Sequence, residues 1–196
     1  MTKTGRQRGQ LRRAAFSFDS GQRTGDRVVL DVLILGVFPG LVLLAATTDM
    51  FTMTIPNRLC LALVALFFLT AFVAGMPIAT IGWHVAAAFG ALLATFALFS
   101  AGVYGGGDAK FTAAVVLWLG PSLALEFALL AALFGGALTL GLVLLRSAPT
   151  ITASFYSHWA ARLLSSEVGV PYGIALSAAT MAVLPKMPWF QAAIGF

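Results

Sequence analysis

Charge is what this chain lacks. Only 10% of its 196 residues are Asp, Glu, Lys or Arg, where a soluble domain carries roughly 25%. With 60% hydrophobic residues and a mean hydropathy of +0.94, the solvent for most of the chain is lipid. Cysteine is nearly absent as well. Cys60 stands alone, which excludes an intramolecular disulfide and a cysteine-built zinc site. Beside an apolar run it reads as a small buried hydrophobe. No His, Cys, Asp and Glu grouping has metal-ligand spacing, so neither a metal nor another cofactor is expected. A cleavable signal peptide is not expected either, because the basic stretch ahead of the first apolar run is too long and no small-residue cleavage site follows.

The charge that is present is local. The formal net charge is +5, and seven of the twelve Lys and Arg residues lie in the first 27 positions, opposed only by Asp19 and Asp26. Residues 1–27 therefore form a basic arm, disordered or a surface helix, suited to anionic lipid headgroups. Nucleic acid is not the expected partner, since no soluble platform accompanies the arm. Residues 28–196 read as one polytopic membrane domain.

Within that domain apolar runs alternate with polar breaks. Val28–Ala46 is long enough to span, and the break Thr47–Arg58 follows. Leu59–Ala74 is the second run, and Gly75, Met76 and Pro77 turn the chain. The third run, Ile78–Ala101, carries Gly82, Ala86, Gly90 and Ala94 on one face, where a neighbouring helix is expected to approach closely. A glycine-rich break spans Gly102–Lys110. The fourth run, Phe111–Leu119, is short and ends at a turn, Gly120-Pro121; the fifth is Ser122–Leu145. Ser147–Val170 is more polar, with Phe155, Trp159 and Leu163 on one helix face, and reads as an amphipathic helix lying in the interface. The last run opens near Pro171. The expected architecture is all-α, with about six transmembrane helices and the interfacial helix before the last.

Asp49 precedes the second helix and Asp108 follows the third. Two consecutive crossings leave one membrane face and return to it, so both carboxylates are expected at one face and similar depth. Carboxylates beside lipid are costly and point to function. Two held close together cannot both ionise readily and share a proton. That state suits peptide hydrolysis: the ionised member takes a proton from water while the protonated one polarises the scissile carbonyl. Gly105, Gly106 and Gly107 would let an extended substrate backbone approach the pair. Pro56 forces Ile55 out of the helical region, so the second helix is expected to start near Asn57. Lys110 stands two residues beyond Asp108, placed to bias its charge or to anchor the helix at the interface. His84 and Glu126 read as interfacial. A competing reading makes the two aspartates a proton or cation path in a small transporter or channel subunit, but the interrupted helices or inverted repeats expected of one are missing.

At these residues the sequence resembles the prepilin peptidase family of GxGD-type aspartic proteases. Three pieces match in order: Asp49 followed by IPNR at Ile55–Arg58, GGGDAKF at Gly105–Phe111, and VPYGIA at Val170–Ala175. The resemblance covers about residues 30–185, and the small size is similar to that of peptidases serving Flp-type (tight adherence) pili. The resemblance implies an aspartic endopeptidase with Asp49 and Asp108 catalytic. Its substrate would be a prepilin or pseudopilin with a short basic leader, and its partners the pilus or secretion machinery. Its place would be the bacterial inner membrane, with the aspartates facing the cytoplasm. Larger members carry a cysteine-rich segment and also methylate the new N-terminus. Without that segment here, the resemblance does not extend to methylation. Arg58, Lys110, Arg146 and Arg162 all fall on the aspartate face, as the positive-inside rule asks of a cytoplasmic face. The basic arm pulls the other way, and the loops and the resemblance are followed.

Overall fold

The computed structural model describes residues 24–147 and 169–194, and every regular element in them is helical. Most of the basic arm and most of the expected interfacial helix, with its Phe155, Trp159 and Leu163, lie outside the described residues. Helix α1 (Thr24–Asp31) runs through a π turn (Val32–Val37) into α2 (Phe38–Thr52). The widened turn sits just ahead of Pro39, which has no N–H to give and whose ring crowds the carbonyl one turn back. After it come α3 (Asn57–Val73), α4 (Ile78–Ser100), α5 (Gly106–Arg146) and α6 (Tyr172–Val183). A 3₁₀ turn (Leu184–Lys186) and the short α7 (Pro188–Ala193) end the described chain.

Three stretches among the described residues are long and apolar enough to cross a membrane: Val28–Thr52, Ile78–Ser100 and Gly106–Arg146. Asn57–Val73 is apolar but shorter. The fourth and fifth runs are two helices within the stretch Gly106–Arg146, divided at the expected Gly120-Pro121 turn. Gly120 breaks that element, with φ 70° and ψ −178°, a backbone conformation essentially reserved for glycine. An unbroken helix at 1.5 Å per residue would put Asp108 and Thr139 more than roughly 40 Å apart. Both line one cavity, so the two arms of α5 fold back on each other. Pro121 has no N–H to offer Leu117, the residue four back. His84 fills the gap: its Nδ1–H donates to the Leu117 carbonyl at 2.8 Å, which also fixes the tautomer. His84 is thus built into the break rather than simply interfacial. Its ring stacks on Phe67 and meets Trp189 edge-on. Trp118 stacks on Phe38 and donates its indole N–H to the Leu63 carbonyl at 2.9 Å. These contacts tie α2, α3, α4, α5 and α7 into one core.

Within the chain, the small-residue face of α4 is not the one that packs. The Gly82, Ala86, Gly90 and Ala94 face of α4 points away from the chain: all four are exposed, and nothing approaches where a Cβ would stand at Gly82 or Gly90. The seam that packs is Ile81, His84, Ala88, Ala91 and Thr95. Alanine occupies both faces of α4, so small size does not mark the buried one. Trp83, Phe89 and Phe96 stand outward, as apolar side chains facing lipid do.

Candidate active site

Helix ends converge at one end of the bundle. The C-terminus of α2, the N-termini of α3, α5 and α6, the α4–α5 loop and the returning arm of α5 enclose a cavity of about 720 Å³. Asp49 and Asp108 both line it, and each carboxylate lies within electrostatic reach of the other.

Asp49 is not in a loop, as the polar break suggested. It sits in the last turn of α2, which runs six residues past the apolar run to Thr52. The polar residues there do not stop the helix, because their hydroxyls bond back to its own carbonyls. Thr47 and Thr48 donate to Leu44 and Thr52 to Thr48, all within 2.9 Å. Met53 then ends the helix in the left-handed region at φ 54°. Asp49 is 4% exposed, and its Oδ2 accepts the main-chain N–H of Gly173 at 2.7 Å.

Asp108 occupies the third position of α5, with Gly105 as the cap. Its carboxylate reaches back to the Gly105 main chain, the geometry of an acidic residue closing a capping box. It is half-buried. The three glycines differ in what they permit. A Cβ on Gly105 would collide with the Asp108 carboxylate, and one on Gly106 would press on the Phe99 ring at 3.3 Å. One on Gly107 would meet the Ile55 main chain at an ordinary 3.6 Å, so the fold alone does not demand glycine there.

Pro56 caps α3 in an extended conformation, and the helix begins at Asn57. Pro56 lies outside the cavity lining, whereas Ile55 and Asn57 belong to it. Lys110 Nζ donates to Asn57 Oδ1 at 3.0 Å. It fastens the start of α5 to the start of α3 instead of pairing with Asp108.

Tyr104 and Tyr172 face the same cavity with ring centres 6.1 Å apart. The Tyr104 hydroxyl shares a hydrogen bond with Thr112 at 3.0 Å. Burial, chiefly, pushes its pKa up to about 12, with the Asp108 charge adding to it, so the phenol keeps its proton through the physiological range. Gly173, Tyr172 and Thr139 were not legible as site residues. VPYGIA is visible as a motif, but no local pattern reveals that its glycine meets an aspartate 124 residues away. Among the described residues no cluster of His, Cys, Asp or Glu has the makings of a metal site.

A helical membrane protein with two carboxylates facing one cavity at the end of its bundle is the class that fold and site define. The chain belongs to the type IV leader peptidase family, whose model matches residues 36–140. Asp49 and Asp108 both fall within that match, and α6 lies beyond it. No curated protein and no solved structure matches the chain.

Proposed function

We propose that this chain is an intramembrane aspartic endopeptidase that removes the short basic leader from prepilin or pseudopilin precursors. The reaction takes place at the cytoplasmic face of the bacterial inner membrane, with Asp49 and Asp108 as the reacting pair. The observation that carries the reading is that two carboxylates from separate helices line one cavity within reach of each other's charge. Such a pair holds one proton between its members. The ionised member takes a proton from water as the water oxygen bonds to the scissile carbonyl carbon. The protonated member gives its proton to the carbonyl oxygen. The gem-diol then collapses and the C–N bond breaks. The amine leaves with the proton first taken from water, and a diol proton returns to the second carboxyl group.

Other features suit a peptide substrate. Gly106 and Gly107 offer main chain without bulk, and Met53, Ile55, Val103 and Val170 give the cavity apolar walls. Arg58, Lys110 and Arg146 belong to this end of the bundle, in keeping with a cytoplasmic face. The test is co-expression with a prepilin. Asp49→Asn and Asp108→Asn should each abolish the shortened product while the protein stays at its normal level in the membrane. The double variant should be no worse than either single one, because the two groups act as a unit. Substantial cleavage by either single variant would sink the reading.

A further inference from the structure

Helix α6 starts without a cap of its own. Of its first-turn N–H groups only that of Ile174 has a local acceptor, the Pro171 carbonyl at 3.3 Å, and Pro171, at the capping position, makes no side-chain hydrogen bond. The missing acceptor comes from another helix, for Gly173 N–H donates to Asp49 Oδ2 at 2.7 Å. The approach depends on glycine. A Cβ at residue 173 would stand 2.8 Å from both Cβ and Oδ2 of Asp49 and 3.0 Å from Cγ. Two further contacts hold the start of α6 in register. Ser177 Oγ–H donates to the Val42 carbonyl of α2 at 2.9 Å. The Tyr172 ring lies over Gly135 so closely that a Cβ there would overlap it. Three contacts on two helices therefore fix where the Gly173 N–H points.

We propose that Gly173 is the positioning residue of the aspartate pair: its N–H fixes Oδ2 of Asp49, keeps Asp49 the ionised member, and leaves Oδ1 to take the proton from water. This rests on the peptidase reading above and assigns the two roles within it. An N–H at a helix N-terminus favours the charged form of the carboxylate it meets. Asp108 also meets a helix N-terminus, at the Gly105 main chain, but only through its own first turn and without a hydrogen bond from a second helix such as the 2.7 Å one that holds Asp49; it is then the member that protonates the carbonyl oxygen. The titratable groups facing Asp49 across the cavity are Asp108 from α5, Tyr104 from the α4–α5 loop and Tyr172 from α6. The amine of Lys110 is turned onto Asn57.

The experiment measures kcat and KM against pH for the full chain in detergent, with a prepilin precursor as substrate. Gly173→Ala pushes a methyl group into Asp49, and misplacing a reacting group by such a distance costs on the order of 100-fold in kcat. KM should stay within about threefold, the pattern of an interaction used only in the transition state. The acidic limb of the rate profile should move to higher pH, because the donor that favours the ionised carboxylate is displaced. Gly90→Ala, on the outward face of α4, should behave as the parent. A lowered kcat with an unmoved acidic limb would make Gly173 merely structural and overturn the proposal, as would kcat retained within about threefold. If Gly173→Ala does not accumulate, a backbone ester at residue 173, installed by semisynthesis, removes the N–H and adds no atom. A moved acidic limb and lowered kcat then support the proposal, and parent behaviour overturns it. Asp49→Asn measured alongside separates the two levels: if it still cleaves, the peptidase reading fails irrespective of Gly173.

Discussion

Replacing Gly120 with alanine tests the break in α5, and the structure gives the cost. The residue holds φ 70° and ψ −178°, and forcing a side chain into that region costs about 1–3 kcal/mol. The new Cβ would also stand 2.8 Å from Cε1 and 2.9 Å from Nε2 of His84, so the ring must leave. Its bond to Leu117 goes with it, and a carbonyl already denied a partner by Pro121 is left unsatisfied among apolar side chains, at about 1–3 kcal/mol. The two costs together come to about 2–6 kcal/mol, a large fraction of the roughly 5–15 kcal/mol that holds an ordinary domain folded. Thermal unfolding of the purified protein in detergent, followed by Trp fluorescence, should show a lowered midpoint and a lower yield of folded protein. His84→Ala should recover part of the loss by removing the collision, though not the backbone strain. Gly90→Ala is the control. Its Cβ meets nothing, and glycine in a helix interior is disfavoured by roughly 0.5–1 kcal/mol relative to alanine. If Gly120→Ala unfolds at the parent temperature, the break does not depend on glycine and the account of His84 as its strut is wrong.

Two further predictions concern orientation and a buried phenol. In a Cys60→Ala background, a cysteine at Thr52 should resist a membrane-impermeant thiol reagent in intact spheroplasts and react after lysis, and one at Gly75 should do the reverse; labelling of Thr52 in sealed cells would invert the orientation. Tyr104 should ionise only near pH 12, read as the difference in phenolate absorbance between the parent and Tyr104→Phe. Its folded pKa lies above the ordinary value of 10, so the folded state holds the proton more tightly. The associated stability is fully present below pH 10 and is lost as pH rises towards 12. A phenolate forming near pH 10 would show that the ring is open to water.

The all-helical membrane class was legible because it rests on bulk composition, which packing cannot reverse. The shared side of Asp49 and Asp108 was legible because it needs only the parity of crossings between them. Neither inference requires knowing a helix end. What depended on helix ends fared worse. Thr47, Thr48 and Thr52 read as a loop because hydroxyls often mark breaks, yet in an apolar setting they bond back to the helix and extend it. Gly120-Pro121 was legible as a turn, and the helix does break there. Its dependence on His84, in another helix, could not be seen, because nothing in a sequence says which ring stands over which glycine.

The same limit explains why the sequence does not rank the glycines. Sequence draws attention to the run Gly105–Gly107, since three in a row is conspicuous. The structure ranks glycines by what a methyl group would strike. At Gly107 it meets the Ile55 main chain at a normal distance, while at Gly105 and Gly173 it strikes a carboxylate. Each aspartate thus has one glycine pressed against it, and each of those glycines opens a helix: Gly105 caps α5, and Gly173 lies in the first turn of α6. This is one solution used twice. A helix N-terminus brings free N–H groups to a carboxylate that lipid would otherwise penalise, and only glycine lets the backbone come near enough to deliver them. The two uses differ in reach. Asp108 belongs to the helix whose cap it contacts, so that arrangement forms whenever α5 forms. Asp49 depends on a helix 124 residues away, so its carboxylate is held only when α6 has docked on α2. The arrangement around Asp49 is thereby tied to the docking of α6 on α2, whereas that around Asp108 is local to α5.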